Sequence, residues 1–139
     1  MSSRYQNEQE NLVNAVLWIV TVVLAVVFLA TGTMKLVKSK SALLENPRMG
    51  WVEDFDPRLL RTIGVLEILG ALGLILPAVT GIATTLVPVA ATGLAITMVG
   101  ALVTHARRKE TSQVILNAVL LALLVFVAWG RFGTYHFGN

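Results

Sequence analysis

The chain has 139 residues, of which 55% are hydrophobic and 14% charged, with a net charge of +3. Soluble domains carry about a quarter charged residues, so the composition points to the membrane and leaves no length for a second, soluble domain. It contains no cysteine, which excludes thiol–disulfide chemistry, Fe–S clusters and cysteine nucleophiles.

Four apolar runs have about the length that crosses the hydrocarbon of a bilayer as a helix. They predict spans at residues 12–36, 59–76, 82–104 and 114–132. The expected fold class is all-α: an antiparallel four-transmembrane-helix bundle, one domain over residues 1–139, with a long connection between spans one and two. The opening MSSRYQNEQE is polar and mixed in sign, and the first apolar run is too long for a signal segment, so it reads as a retained first span. Thr31, Gly32 and Thr33 near its end are small residues of the kind that let helices approach closely.

The connection KSKSALLENPRMGWVEDFDP contains Asn-Pro and Asp-Pro steps, which end helices and start turns. Trp51 and Phe55 stand there among charges. Two readings follow: a segment lying at the interface with both rings toward lipid, or a loop packed on the bundle. Asp56 and Pro57 are an N-cap acid and a first-turn proline for span two. The link PAVTG after that span permits only a hairpin with span three. Pro88 either kinks span three or starts it. Gly93, Thr97 and Gly100 share one face and predict a packing stripe. Span three ends in the polar THARRKETS, and span four ends in an aromatic belt of Trp129, Phe132, Tyr135 and Phe137.

The charges that matter for topology lie in two connections. Residues 35–61 hold Lys35, Lys38, Lys40, Arg48, Arg58 and Arg61, and residues 104–112 hold Arg107, Arg108 and Lys109; only Arg4 and Arg131 fall on the other side. Positive residues stay inside, so both termini are expected to face away from the cytoplasm. A juxtamembrane basic cluster in a multi-pass chain is a topology signal, and no nucleic-acid partner is expected.

Glu67 lies near the centre of span two, where a lipid-facing acid costs on the order of 3 kcal/mol. Its helical face carries Gly64, Gly70 and Ala71, so that face packs against other helices. Arg61 lies roughly 120° around the helix and is a poor partner. Glu67 is about 13 Å below Arg58 along the helix at roughly 1.5 Å per residue. Lys35, about a turn inside the same surface on span one, is the first-choice partner. Asn117 on span four is the second, with Thr31 and Thr97 as further members. Such a set either binds a ligand headgroup or passes a proton, or it pins helix register.

The remaining polar candidates are expected at the interfaces: His105, Arg107 and Arg108 in the basic cap of span three, Trp51 and Trp129 as aromatic anchors, and Arg131 snorkelling or holding a lipid phosphate, with Asn11 and Asn14 as neighbours. His105 and His136 fall on opposite faces of the membrane, so they are not expected to ligate one haem. No Ser–His–Asp set, phosphate loop or dinucleotide fingerprint is present.

FLATGTMKL around Lys35, RTIGVLEILGALGLILP around Glu67, MVGALVTHARRKE at the end of span three and WGRFG around Arg131 together resemble the DoxX-like family of small bacterial membrane proteins. The resemblance touches all four spans and implies a four-helix bundle in the bacterial cytoplasmic membrane. It also implies a link to redox assemblies, since members include part of a thiosulfate:quinone oxidoreductase and of a membrane complex for oxidative stress. The chain departs from a redox enzyme by offering no cysteine, haem ligand or flavin motif. The expected role is therefore an accessory or anchoring subunit, not catalytic alone and without covalent cofactor or metal. Its polar site would hold an isoprenoid quinone or lipid, and its partners would be membrane lipid, a redox protein or further copies of itself. The rivals are a structural bundle that recruits a soluble partner through residues 37–57 and 104–112, and a small transporter.

Overall fold

The computed structural model describes residues 2–137. Among them the order is α1 (Ser2–Val37), α2 (Lys40–Leu44), a 3-10 helix (Pro47–Asp54), α3 (Pro57–Thr80), α4 (Leu86–Arg107) and α5 (Thr111–Phe132), with no strand. The helices α1, α3, α4 and α5 are each long and apolar enough to cross a membrane. Their outward faces carry large apolar side chains such as Ile19, Val26, Leu69 and Ile96, all about 60% exposed or more. A continuous apolar surface of that size belongs in lipid rather than water.

The helix boundaries follow from local chemistry. No proline interrupts Ser2–Val37, so α1 begins ten residues before the predicted span, with its first turns exposed. At 1.5 Å per residue its 36 residues extend about 54 Å, well beyond a hydrocarbon core of about 30 Å. Asp56 caps α3 by accepting a 2.7 Å hydrogen bond from the Arg58 amide, with Pro57 in the first turn. The expected end of span two at residue 76 needs correction. The helix continues to Thr80 and stops at Gly81, which takes a left-handed φ of 69° and donates its amide to the Pro77 carbonyl. Proline is tolerated this close to the end because few intrahelical bonds remain to be lost. Pro88 lies in the first turn of α4, where its missing N–H is one that has no intrahelical partner anyway, so it starts the helix.

Side chains small enough to vanish set the packing. A Cβ on Gly32 would stand 2.7 Å from the Gly64 carbonyl oxygen, so α1 and α3 touch backbone to backbone. Leu94 of α4 fills the space beside Gly70, Ala90 that beside Gly73, and Leu17 of α1 that beside Gly130 of α5. Leu17, Leu24, Phe28, Leu74, Val87, Leu124 and Val127 form the buried core among these helices. The stripe expected at Gly93 and Gly100 is not packed: a Cβ at either would meet nothing within 4 Å. The glycines that pack are on α1, α3 and α5 instead.

Between α1 and α3, Ser39 caps α2 and Asn46 caps the 3-10 helix. The two short helices bury Leu43 and Val52 against Leu60 of α3, with Met34, Met49, Trp51 and Phe55 around them. Of the two readings of this segment, the packed one holds. Trp51 and Phe55 meet edge to face at 5.5 Å and are half-buried rather than turned outward.

Candidate functional site

The Gly32–Gly64 contact creates the polar site. Each glycine lies three residues before an ionisable one, Lys35 on α1 and Glu67 on α3. A Cβ on Gly32 would come 3.0 Å from the Glu67 Cβ, and one on Gly64 would come 3.1 Å from the Lys35 Cβ. With hydrogen in both places the two side chains enter the same space. Lys35 Nζ donates to Glu67 Oε2 at 2.8 Å and to Oε1 at 3.0 Å, and the two residues are 7% and 3% exposed. Burying two charges costs several kcal/mol per ion and is offset only by good geometry, which this two-pronged contact supplies.

The pair lines a cavity of about 420 Å³ that also reaches α4, α5 and the 3-10 helix. Thr97, Asn117, His105 and Trp51 contribute to its wall, and Phe55 joins Trp51 there from the connection. Thr31 makes only long contacts, 3.4 Å to Glu67 Oε2 and 3.4 Å to the Phe28 carbonyl. Asn117 is buried but does not reach Glu67: its Nδ2 donates to the Gln113 carbonyl at 2.7 Å. Thr97 donates to the Gly93 carbonyl.

Three residues expected at an interface are wholly or partly covered by protein. His105 is 5% exposed, lines the cavity, lies edge-on to Trp51 at 5.8 Å and has its Nδ1 2.7 Å from Glu110 Oε2. It follows Ala101 by four residues and Met98 by seven, on the face of α4 that the neighbouring helices cover, a face the sequence does not mark. Trp51 lines the same cavity, with the Lys35 ammonium 5.8 Å from its ring centre. Arg131 does not snorkel. It is 4% exposed, donates through Nη1 to Asn14 Oδ1 at 2.7 Å and to the Tyr135 carbonyl at 2.8 Å, and lies over Phe137 at 4.1 Å. Its Nε and Nη2 have no hydrogen-bond partner among the described residues.

Arg108 ties the connection to the α4–α5 turn. It donates to Asp54 Oδ2 at 2.7 Å through Nη1 and to Glu110 through Nε. Burial pushes the Glu110 carboxyl up, but hydrogen bonds from Arg108 and His105 outweigh it together and hold it below its ordinary value. Arg107 is exposed, and Trp129, 60% exposed, packs on Phe126 and Tyr135 at the far end.

No curated protein and no solved structure matches the chain. The model of the DoxX-like family matches residues 19–127, a stretch that contains Lys35, Glu67, His105 and Asn117 and most of all four long helices. The chain is a membrane protein of the DoxX-like family.

Proposed function

We propose that the protein is an accessory or anchoring subunit of the bacterial cytoplasmic membrane, and that its cavity holds the head of an isoprenoid quinone or lipid. One observation carries this reading: a buried, mutually bonded Lys35 and Glu67 line an open cavity instead of being sealed in the core. A register pin needs the pair but not the space. The four spans run antiparallel, with the long connection and the α4–α5 turn on the cytoplasmic side, because residues 35–61 and 104–112, which include those segments and the adjoining helix ends, carry nine of the eleven Lys and Arg residues. The family's redox associations favour a quinone-linked role, in which the protein positions a quinone or a redox partner and turns nothing over by itself.

The test is a mass-spectrometric inventory of small molecules that co-purify in mild detergent, for the wild type and for Glu67→Gln. A quinone or lipid held in stoichiometric amount by the wild type and lost from a still-folded Glu67→Gln supports the site. Equal inventories with a small stability loss support the pin. A second reading keeps one observation in its favour. Lys38, Arg48, Arg58, Arg61, Arg107 and Lys109 remain exposed around the capped end, a surface suited to an acidic soluble partner. A stable complex on that face, with an empty cavity, would establish it. Transport by an oligomer ranks third, since no internal repeat is visible in the four spans.

A further inference from the structure

We propose that the cavity is loaded sideways from the bilayer, through the seam between α3 and α4, and that its ligand has one apolar tail and an uncharged, hydrogen-bonding head. This rests on reading the cavity as a ligand site and specifies what enters it, and by which route.

The route is drawn by the glycines. A second cavity of about 370 Å³ lies along the same seam and shares Leu66 and Thr97 with the first. It continues past Gly93 to Leu86, and every residue in its wall except Thr97 is apolar or glycine. The back of this groove is closed where Leu94 packs on Gly70 and Ala90 on Gly73. Its front is open, because Gly93 in its wall, like Gly100 in the wall of the first cavity, has nothing within 4 Å of where a Cβ would be. The polar cavity and the apolar groove therefore form one continuous slot, wet chemistry at one end and hydrocarbon along the rest. The end toward the connection is covered. Trp51 and Phe55 stand over it, packed with the buried Val52 and Leu43, and the Arg108–Asp54 ion pair ties the connection to the α4–α5 turn. A ligand already dissolved in lipid meets the open front of the slot; one arriving from water meets the cap.

The head chemistry follows from charge. Lys35 is already neutralised by both oxygens of Glu67, so the pair adds no net charge to the wall. His105 is bonded to Glu110, which balances any proton the ring carries. A phosphate or sulfate head would have to strip Lys35 from Glu67 and leave a bare buried carboxylate. What remains is hydrogen-bonding capacity without charge. Asn117 has one amide hydrogen on Gln113 and, among the described residues, no donor to its Oδ1, and His105 Nε2 is without a partner among them. A head with carbonyl or hydroxyl oxygens matches that inventory, and a single groove accommodates a single tail.

The test uses the one tryptophan in the site. The chain has three tryptophans, and Trp18 and Trp129 lie with Arg131 and Tyr135 at the other end. The full chain carrying Trp18→Phe and Trp129→Phe, placed in bilayer discs, reports on Trp51 alone. The probes are a benzoquinone with a ten-carbon tail, which quenches indole, and the same head with a methyl group, compared at equal concentration within the bilayer. Dodecyl phosphate serves as the competitor. Saturable quenching by the long-tailed probe is expected, with the methyl probe about tenfold weaker. Gly93→Leu should weaken the long-tailed probe about tenfold and leave the methyl probe unchanged, while Gly100→Leu should weaken both. Both substitutions point into open space, and a thermal melt confirms that the variants fold. If Gly93→Leu leaves the tailed probe unaffected, or dodecyl phosphate displaces it, the seam and the uncharged head are wrong while the cavity stands as a ligand site. If neither probe saturates on the wild-type site, the ligand-site reading falls with them.

Discussion

The bundle buries a cationic side chain near each end, and the two are treated differently. Lys35 and Asn14, which bonds Arg131, are 21 residues apart on α1, about 31 Å along the helix. Lys35 has an acid held on two oxygens and an adjoining cavity. Among the described residues Arg131 has an amide, a carbonyl and two aromatic rings, and no acid. Removing one member of a charge pair leaves the other charge stranded, whereas removing a cation that has no counter-charge strands nothing. The Lys35 end is therefore where charge holds helices together, and the Arg131 end is where aromatic and polar packing does so around a charge.

The largest expected effect tests that asymmetry. Lys35→Met should destabilise the bundle by about 3–5 kcal/mol, because Glu67 is left buried and bare, and Lys35→Met with Glu67→Met should recover most of the loss. Unfolding titrations in denaturing detergent measure both. If the double variant is as unstable as the single, the pair is not an isolated unit. Next in size is Gly32→Ala, expected to cost about 1–3 kcal/mol by overpacking, since its new methyl would meet the Gly64 carbonyl at 2.7 Å and Ile68 at 2.9 Å. Gly93→Ala, with open space around it, serves as its control and should be neutral or slightly stabilising, by up to about 1 kcal/mol from helix propensity.

Arg131→Met should cost at least ~2 kcal/mol less than Lys35→Met, because only two neutral acceptors lose a donor and the methionine keeps the contact with Phe137. Parity between the two in the same titration would mean that Arg131 has an acidic partner in the folded bundle. The smallest effect concerns the cap. The Glu110 carboxyl is held below its ordinary value, so its hydrogen bonds contribute stability that is fully present above the unfolded value and lost as pH falls through the folded one. The carboxyl sits in the part-exposed cap, where solvent screens its partners, so it is worth well under about 1 kcal/mol. Glu110→Gln should flatten the acid limb of the stability profile slightly and loosen the connection, read as increased proteolysis after Lys40 or Arg48.

The four spans are legible in the amino-acid order alone, because four apolar runs of about 20 residues in a chain of 139 leave too little protein to cover them and only a bilayer can. The sequence also determined that Glu67 needs company, because the cost of an acid in lipid is fixed by the solvent and not by the fold. The choice of Lys35 over Asn117 was legible only as an order of preference from depth. The tertiary structure brought Lys35 and Glu67 together, through two glycines that allow backbone contact between α1 and α3. Hydrophobic periodicity says nothing about the burial of His105, Trp51 and Arg131. In an all-apolar helix every face looks alike, and which face turns inward depends on the neighbour that covers it. The same uniformity hid the difference between the packed glycines at 32, 64 and 70 and the open ones at 93 and 100. A glycine in a membrane helix allows either a close neighbour or a gap, and only the position of the next helix decides between them.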